Sequence, residues 1–123
     1  MKQIILDTNF ILSCVKQKID FFEDLKFKGL KILIPVQVLE EIEKVANSKK
    51  KLRFREDAKL ALKILGANKF EKIELSENYV DKGLIKYANE NKNVVVATLD
   101  KEIKSKILNP KIVIKRMKTL DFV

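Results

Sequence analysis

Residues 94–100 read VVVATLD. The four residues Val94, Val95, Val96 and Ala97 form the most continuous apolar run in the chain. Such a run is too short for a buried helix and rich in β-branched side chains, which marks a strand covered on both faces, the situation of a central strand in a parallel sheet. It leads into Thr98, Leu99 and Asp100. A similar stretch lies near the start, where KQIIL (2–6) runs directly into Asp7, Thr8 and Asn9. Further strand patterns occur at KILI (31–34), closed by Pro35, at KIEL (72–75) and at KIVIK (111–115), giving about five strands.

Helical periodicity fills the spaces between them. A helical stretch is expected from Phe10 to Phe27, with a break near Lys18–Asp20 and a stop at Gly29. Over 36–47, Val38, Leu39, Ile42, Val45 and Ala46 share one face. The basic loop SKKKLR (48–53) follows, then a helix over 54–65 with Phe54, Ala58, Ala61, Leu62 and Leu65 inside, ending at Gly66. Ser76 is the expected start of a helix over 77–90, and 100–108 forms the last helix. Strands alternating with helices predict an α/β fold, a three-layer sandwich whose mostly parallel sheet carries helices on both faces. Parallel strands linked by right-handed crossovers present their C-terminal ends along one edge, and ligands bind there.

Composition narrows the function classes. The 123 residues fit a single domain, 1–123, and 46% hydrophobic residues suffice for a core. Lys+Arg 26 against Asp+Glu 17 gives a net charge of +9. With a pI of about 9.6, a polyanionic partner is expected, nucleic acid first. A biased genome or a heat-adapted host also enriches Lys and Glu. Cys14 is the only cysteine, so no intrachain disulfide forms, and a reducing, cytoplasmic setting fits. The opening strand pattern is not that of a signal peptide, and no apolar stretch approaches the ~20 residues of a membrane span. The absence of histidine excludes a Ser-His-Asp triad and a His-ligated zinc site. Any bound metal would be held by oxygen, which points to Mg²⁺ or Mn²⁺.

The acids are therefore the candidate chemistry. Asp7 follows the first strand and Asp100 follows the VVVAT strand by two residues, so both fall at one sheet edge. In the helix over 77–90 the apolar face is built from Val80, Leu84, Tyr87 and Ala88, and Asp81 projects within a quarter-turn of its centre. A carboxylate there needs a partner: a lysine, a capping-box position if Asn78 starts the helix, or a metal. In the helix over 36–47, Glu40 faces away from the apolar stripe, while Glu41 and Glu43 sit at its two borders, and the projection does not choose between them. Carboxylates gathered at one edge repel each other, and a divalent cation reverses that sign. Acids around one or two such ions suit phosphodiester cleavage and require no histidine base.

Four motifs taken together, ILDTNFIL, PVQVLEEIEKVA, VDKGLIKYA and VVVATLDKEIKSKI, occur in the order of one family. In these the chain resembles the PIN domain, a family of small metal-dependent ribonucleases with a Rossmann-like sheet. The resemblance runs from Asp7 to Val123. It implies that Asp7, Glu41, Asp81 and Asp100 are the catalytic acids and ligands of Mg²⁺ or Mn²⁺, and so favours Glu41 over Glu43. It places Asn9 in the family's DTN pattern and Thr98 where many members carry Thr or Ser, both as residues that orient the ligands or the water. Leu99 replaces the Asn that many members carry, and Glu102 falls where some place another acid. The implied activity is endonucleolytic hydrolysis of single-stranded or structured RNA, with Lys49, Lys50, Lys51, Arg53 and Arg55 as the candidate RNA contacts.

The chain looks most like archaeal stand-alone members related to ribosomal-RNA processing factors, with toxins of toxin–antitoxin pairs close by. The expected partners are RNA, an antitoxin or a ribosome-assembly factor, and a second copy in a homodimer. A non-catalytic RNA-binding module is the alternative function. A phosphoacceptor response regulator is a poor fit, because the opening offers one acid rather than a pair, and the second and third strands end in Pro35 and Ser76.

Overall fold

The structure is a computed structural model that describes residues 2–123; Met1, within the expected domain, lies outside the described residues. In chain order the elements are β1 (Lys2–Leu6), α1 (Thr8–Lys16), α2 (Phe21–Phe27), β2 (Leu30–Pro35), α3 (Val36–Ala46), α4 (Leu52–Gly66), β3 (Glu71–Ile73), α5 (Val80–Glu90), β4 (Val95–Ala97), α6 (Lys101–Ser105), β5 (Lys111–Lys115) and β6 (Thr119–Phe122). The sheet order is β3-β2-β1-β4-β5-β6. The first five strands are parallel, and β6 pairs antiparallel with β5.

β1 lies between β2 and β4, so its residues face helices on both sides, and Ile4, Ile5 and Leu6 are fully buried. Burying each such side chain contributes about 1.5–3 kcal/mol, which is why the unbroken apolar run codes for the centre of the sheet. β4 is the same case, with Val95, Val96 and Ala97 fully buried. Right-handed crossovers put α1–α4 on one face and α5 and α6 on the other, giving three layers. α3 packs on α4 and both touch α1, while α5 packs on α6. Strand order reverses between β1 and β4, and at such a switch point the crevice beyond the strand ends is the natural binding place.

Several expected boundaries shift, each for an identifiable reason. The stretch 10–27 is two helices, parted where Lys18 takes a left-handed φ of 60°, as the break near Lys18–Asp20 anticipated. α2 stops at Gly29, whose φ of 76° costs a glycine nothing. α5 begins at Val80, not at Glu77. The Gln37 side chain of α3 holds the preceding segment, donating to the carbonyls of Leu75 (2.9 Å) and Glu77 (3.4 Å) and accepting from the Leu75 amide (3.1 Å). That tertiary bond to Glu77 competes with the helical one, so Ser76 caps nothing. α4 starts at Leu52, so Arg53 lies in the helix and not in the loop, and Phe54 is 39% exposed instead of inside. β6 was not expected. The turn before it places Met117 and Lys118 at φ of 65° and 61°, where a Gly or Asn would have announced it.

Candidate functional site

Asp7 ends β1 and starts α1. Its amide donates to the Ala97 carbonyl at 3.0 Å, one further rung on the β1–β4 pairing. Its side chain caps the new helix, with Oδ1 accepting from the Thr8 amide at 2.8 Å. The other oxygen, Oδ2, accepts from the Thr98 hydroxyl at 2.9 Å. Thr98 follows β4 directly and is fully buried. Its Oγ1 also accepts from the Asp100 amide at 3.1 Å. A relay therefore runs from the Asp100 backbone through Thr98 to the Asp7 carboxylate, and it locks the ends of the two central strands together. Asp100 in turn caps α6, its Oδ1 accepting from the amides of Glu102 (2.8 Å) and Ile103 (3.2 Å).

Glu41 joins this group from α3. The Thr8 hydroxyl donates to its Oε1 at 2.5 Å. Thr8 is buried while Glu41 is exposed, so the bond draws an otherwise solvated glutamate toward the edge that carries Asp7. Thr8 was not among the candidate residues read from the sequence. The signal was its place right after Asp7, where α1 begins and its side chain must face the neighbouring α3.

Burial pushes the Asp7 carboxyl above the usual carboxylate range. Hydrogen bonds from Thr98 and Thr8 pull it back, and the negative charges of Glu41 and Asp100 push it up further. These last two effects place Asp7 within the field of both other acids. They do not yet form a ligand shell, for among the described residues no three acidic side chains converge at metal-ligand spacing. Like charges without a counterion keep apart, and Asp100 and Glu41 spend an oxygen each on the α6 cap and on Thr8.

Asp81 differs from the sequence reading. It is exposed in the first turn of α5, its Oδ1 accepting from the adjacent Lys82 amide at 3.0 Å. Gly83 explains the difference. Having no side chain, it was not counted in the apolar face, yet it is buried, and a Cβ there would come within 2.9 Å of Leu75 Cβ. Counting Gly83 turns the buried face about 15° further from Asp81, to the limit of a quarter-turn at 100° per residue, and the Asp81 carboxylate bends back to the Lys82 amide. Asp81 lies toward α6, where its charge, after that of Glu102, helps hold the Lys106 ammonium above its ordinary pKa. Glu102 itself is exposed and ion-paired to Lys106 Nζ at 2.7 Å.

Asn9 is exposed in the first turn of α1 and opens onto a groove that Lys16, Lys50 and Phe54 also line. Lys49, Lys50 and Lys51 are exposed in the connection between α3 and α4. Arg53 sets its guanidinium 5.1 Å from the centre of the Phe54 ring, and Arg55 Nε donates to the Lys50 carbonyl at 3.0 Å. The connection is thus basic and anchored on the side of the sheet that carries α1–α4. No helix among the described residues is long and apolar enough to cross a membrane.

Ribonuclease VapC4 of Methanocaldococcus jannaschii is 34% identical over 114 residues, covering 88% of this chain and 84% of that protein. The rRNA-processing protein fcf1 of Schizosaccharomyces pombe is 34% identical over 109 residues, covering 85% of this chain and 52% of the longer relative. Among solved structures, that of the PIN domain endonuclease Utp24 superposes with a TM-score of 0.74 at 29% identity, covering 98% of this chain and 95% of that one. The family described as PIN like domain matches residues 4–119, and the chain belongs to it.

Proposed function

We propose that this protein is a Mg²⁺- or Mn²⁺-dependent endoribonuclease whose centre lies at the C-terminal ends of β1 and β4. The observation that carries this reading is the buried Asp7 carboxylate, tied through Thr98 to Asp100 and facing the charge of Glu41 at the switch point of the sheet. The donors are all carboxylate oxygens, the chemistry that suits a hard divalent ion. Burial, and after it repulsion from Glu41 and Asp100, raises the proton affinity of Asp7, and a cation would relieve the repulsion. Asp7, Glu41 and Asp100 would hold the ion, and Asp81, exposed in the first turn of α5, would join them only by leaving its bond to the Lys82 amide. Bound there, a divalent ion supplies charge neutralisation at the scissile phosphate and an activated water.

The chain's own residues prepare the place. Thr98 and the Thr8 amide fix both oxygens of Asp7, leaving its remaining lone pairs directed by the fold rather than by solvent. The Thr8 hydroxyl sets Glu41, and Asn9, next along α1, stands where the strand would pass. The exposed lysines of the α3–α4 connection attract phosphates and give salt-dependent affinity. The similarity to a ribonuclease and to an rRNA-processing protein favours RNA as the substrate; an antitoxin encoded in the neighbouring gene would separate the toxin role from ribosome assembly.

The separation of Asp81 from the other acids favours a second reading, an RNA-binding module without cleavage. An RNA-cleavage assay with Mn²⁺ or Mg²⁺, run beside Asp100→Asn and an EDTA control, decides. The nuclease reading predicts cleavage that both controls abolish. Binding without cleavage under either metal would favour the second reading, and cleavage that persists in EDTA or in the variant would overturn this site.

A further inference from the structure

A groove of about 320 Å³ runs between α1, α3 and α4, with Asn9 in its wall two residues beyond Asp7. We propose that this groove is a nucleobase subsite that holds a guanine of the RNA strand, stacked on Phe54 and hydrogen-bonded to Asp57. The proposal rests on RNA being the substrate and goes beyond it to name a base and the residues that read it.

The lining separates base from backbone. Leu12 and Val45 make an apolar floor, and Phe54 closes one side. Phe54, near the start of α4, leaves 39% of its surface in solvent while lining the groove. Its neighbour Arg53 braces the ring from 5.1 Å. An exposed aromatic face beside a guanidinium is the stacking platform that single-stranded RNA uses. Asp57 lies one turn along α4 on the same side of the groove, half-buried, and takes part in no ion pair among the described residues. A carboxylate in the wall repels phosphate and accepts N–H donors. Guanine alone among the RNA bases presents two adjacent donors, N1–H and the 2-amino group, on one edge. Lys16 and Lys50 stand at the groove as the cations for the phosphates on either side of that base.

The test uses Asp100→Asn protein in Mg²⁺, which keeps the RNA intact, and fluorescence anisotropy with uridine oligonucleotides carrying guanosine, inosine or uridine at one position. Inosine lacks only the 2-amino group. The expected result is that the guanosine oligonucleotide binds at least about tenfold more tightly than the other two, as loss of one hydrogen bond to a charged group implies. Asp57→Asn abolishes that preference. Phe54→Ala weakens all three oligonucleotides by about fivefold or more, and Phe54→Leu, which keeps the apolar bulk and controls for folding, weakens them similarly. No preference for guanosine, or one that survives Asp57→Asn, overturns the proposal. Binding unchanged by the Phe54 and Asp57 variants would likewise overturn it, since the RNA would then not enter the groove. Guanosine preference in a protein whose unsubstituted form never cleaves would leave the subsite standing and remove the nuclease reading; cleavage indifferent to guanosine would do the reverse.

Discussion

Thr98→Val tests the relay at the centre of the site. The two side chains have nearly the same shape, so the change removes a hydroxyl and little else. Two bonds are lost: donation to Asp7 Oδ2 at 2.9 Å and acceptance from the Asp100 amide at 3.1 Å. A hydrogen bond to a charged group contributes about 1.5–3 kcal/mol and an amide bond about 1 kcal/mol. Burying a methyl in place of the hydroxyl offsets about 0.8 kcal/mol. The net expectation is a loss of about 2–3 kcal/mol near neutral pH, or about 6–12 °C in Tm for a chain of this size.

The loss should also depend on pH. Because the Asp7 carboxyl sits above its ordinary 3.8, the native state binds a proton first as pH falls. Between the ordinary and the raised value the native protein holds more protons than the unfolded one. The stability owed to this group therefore falls as pH rises through that window and is constant above it. Removing the Thr98 donor raises the native value further, so the variant loses more than the parent at high pH and approaches it at low pH, where a protonated Asp7 needs no donor. Urea unfolding in EDTA at pH 4 and pH 8 measures this. Thr98→Ser, which keeps the hydroxyl, should show a smaller deficit that does not change with pH. A Thr98→Val deficit equal at both pH values, or a gain in stability at pH 8, would refute the relay.

Thr8→Val frees Glu41 from its bond to Thr8; cleavage at limiting Mn²⁺ should fall about 10- to 100-fold, as for other residues that orient metal ligands, while excess Mn²⁺ recovers most of it. Gly83→Ala adds a Cβ that would stand 2.9 Å from Leu75 Cβ, and overpacking of about 1–3 kcal/mol should exceed the ~1 kcal/mol gain in helix propensity; a more stable variant by thermal unfolding would contradict the close approach. Replacing Lys49, Lys50 and Lys51 together by Ala should flatten the slope of log affinity against log salt by about 2 for a single-stranded RNA; an unchanged slope would exclude those lysines as phosphate contacts.

The parts of the fold visible in the sequence are those whose cause is local. Ile4–Leu6 and Val95–Ala97 are buried on both faces, so their pattern needed no context, and the acids that follow them inherit their place from the strand direction. Features made by distant contacts were not visible. The delayed start of α5 depends on Gln37, 38 residues upstream of Leu75. The outward turn of Asp81 depends on Gly83, whose burial a residue-by-residue reading of polarity misses. The choice between Glu41 and Glu43 was made in sequence by family resemblance, while in space the Thr8 hydroxyl bonds Glu41. β6 follows a turn in which Met117 and Lys118 take conformations that their side chains do not advertise.

Calorimetric titration of the metal-free protein with Mn²⁺ tests most directly whether the acids at the ends of β1 and β4 share one cation. The unsubstituted protein should bind Mn²⁺ with more proton release as pH is lowered toward the raised range of Asp7, because ligation takes its carboxylate in the deprotonated form. Asp7→Asn and Asp100→Asn should each weaken binding by about tenfold or more, the reach of one ligand's loss on the scale of ~1.4 kcal/mol per decade. Equal affinity in the three proteins, or no saturable binding in any, would contradict the account.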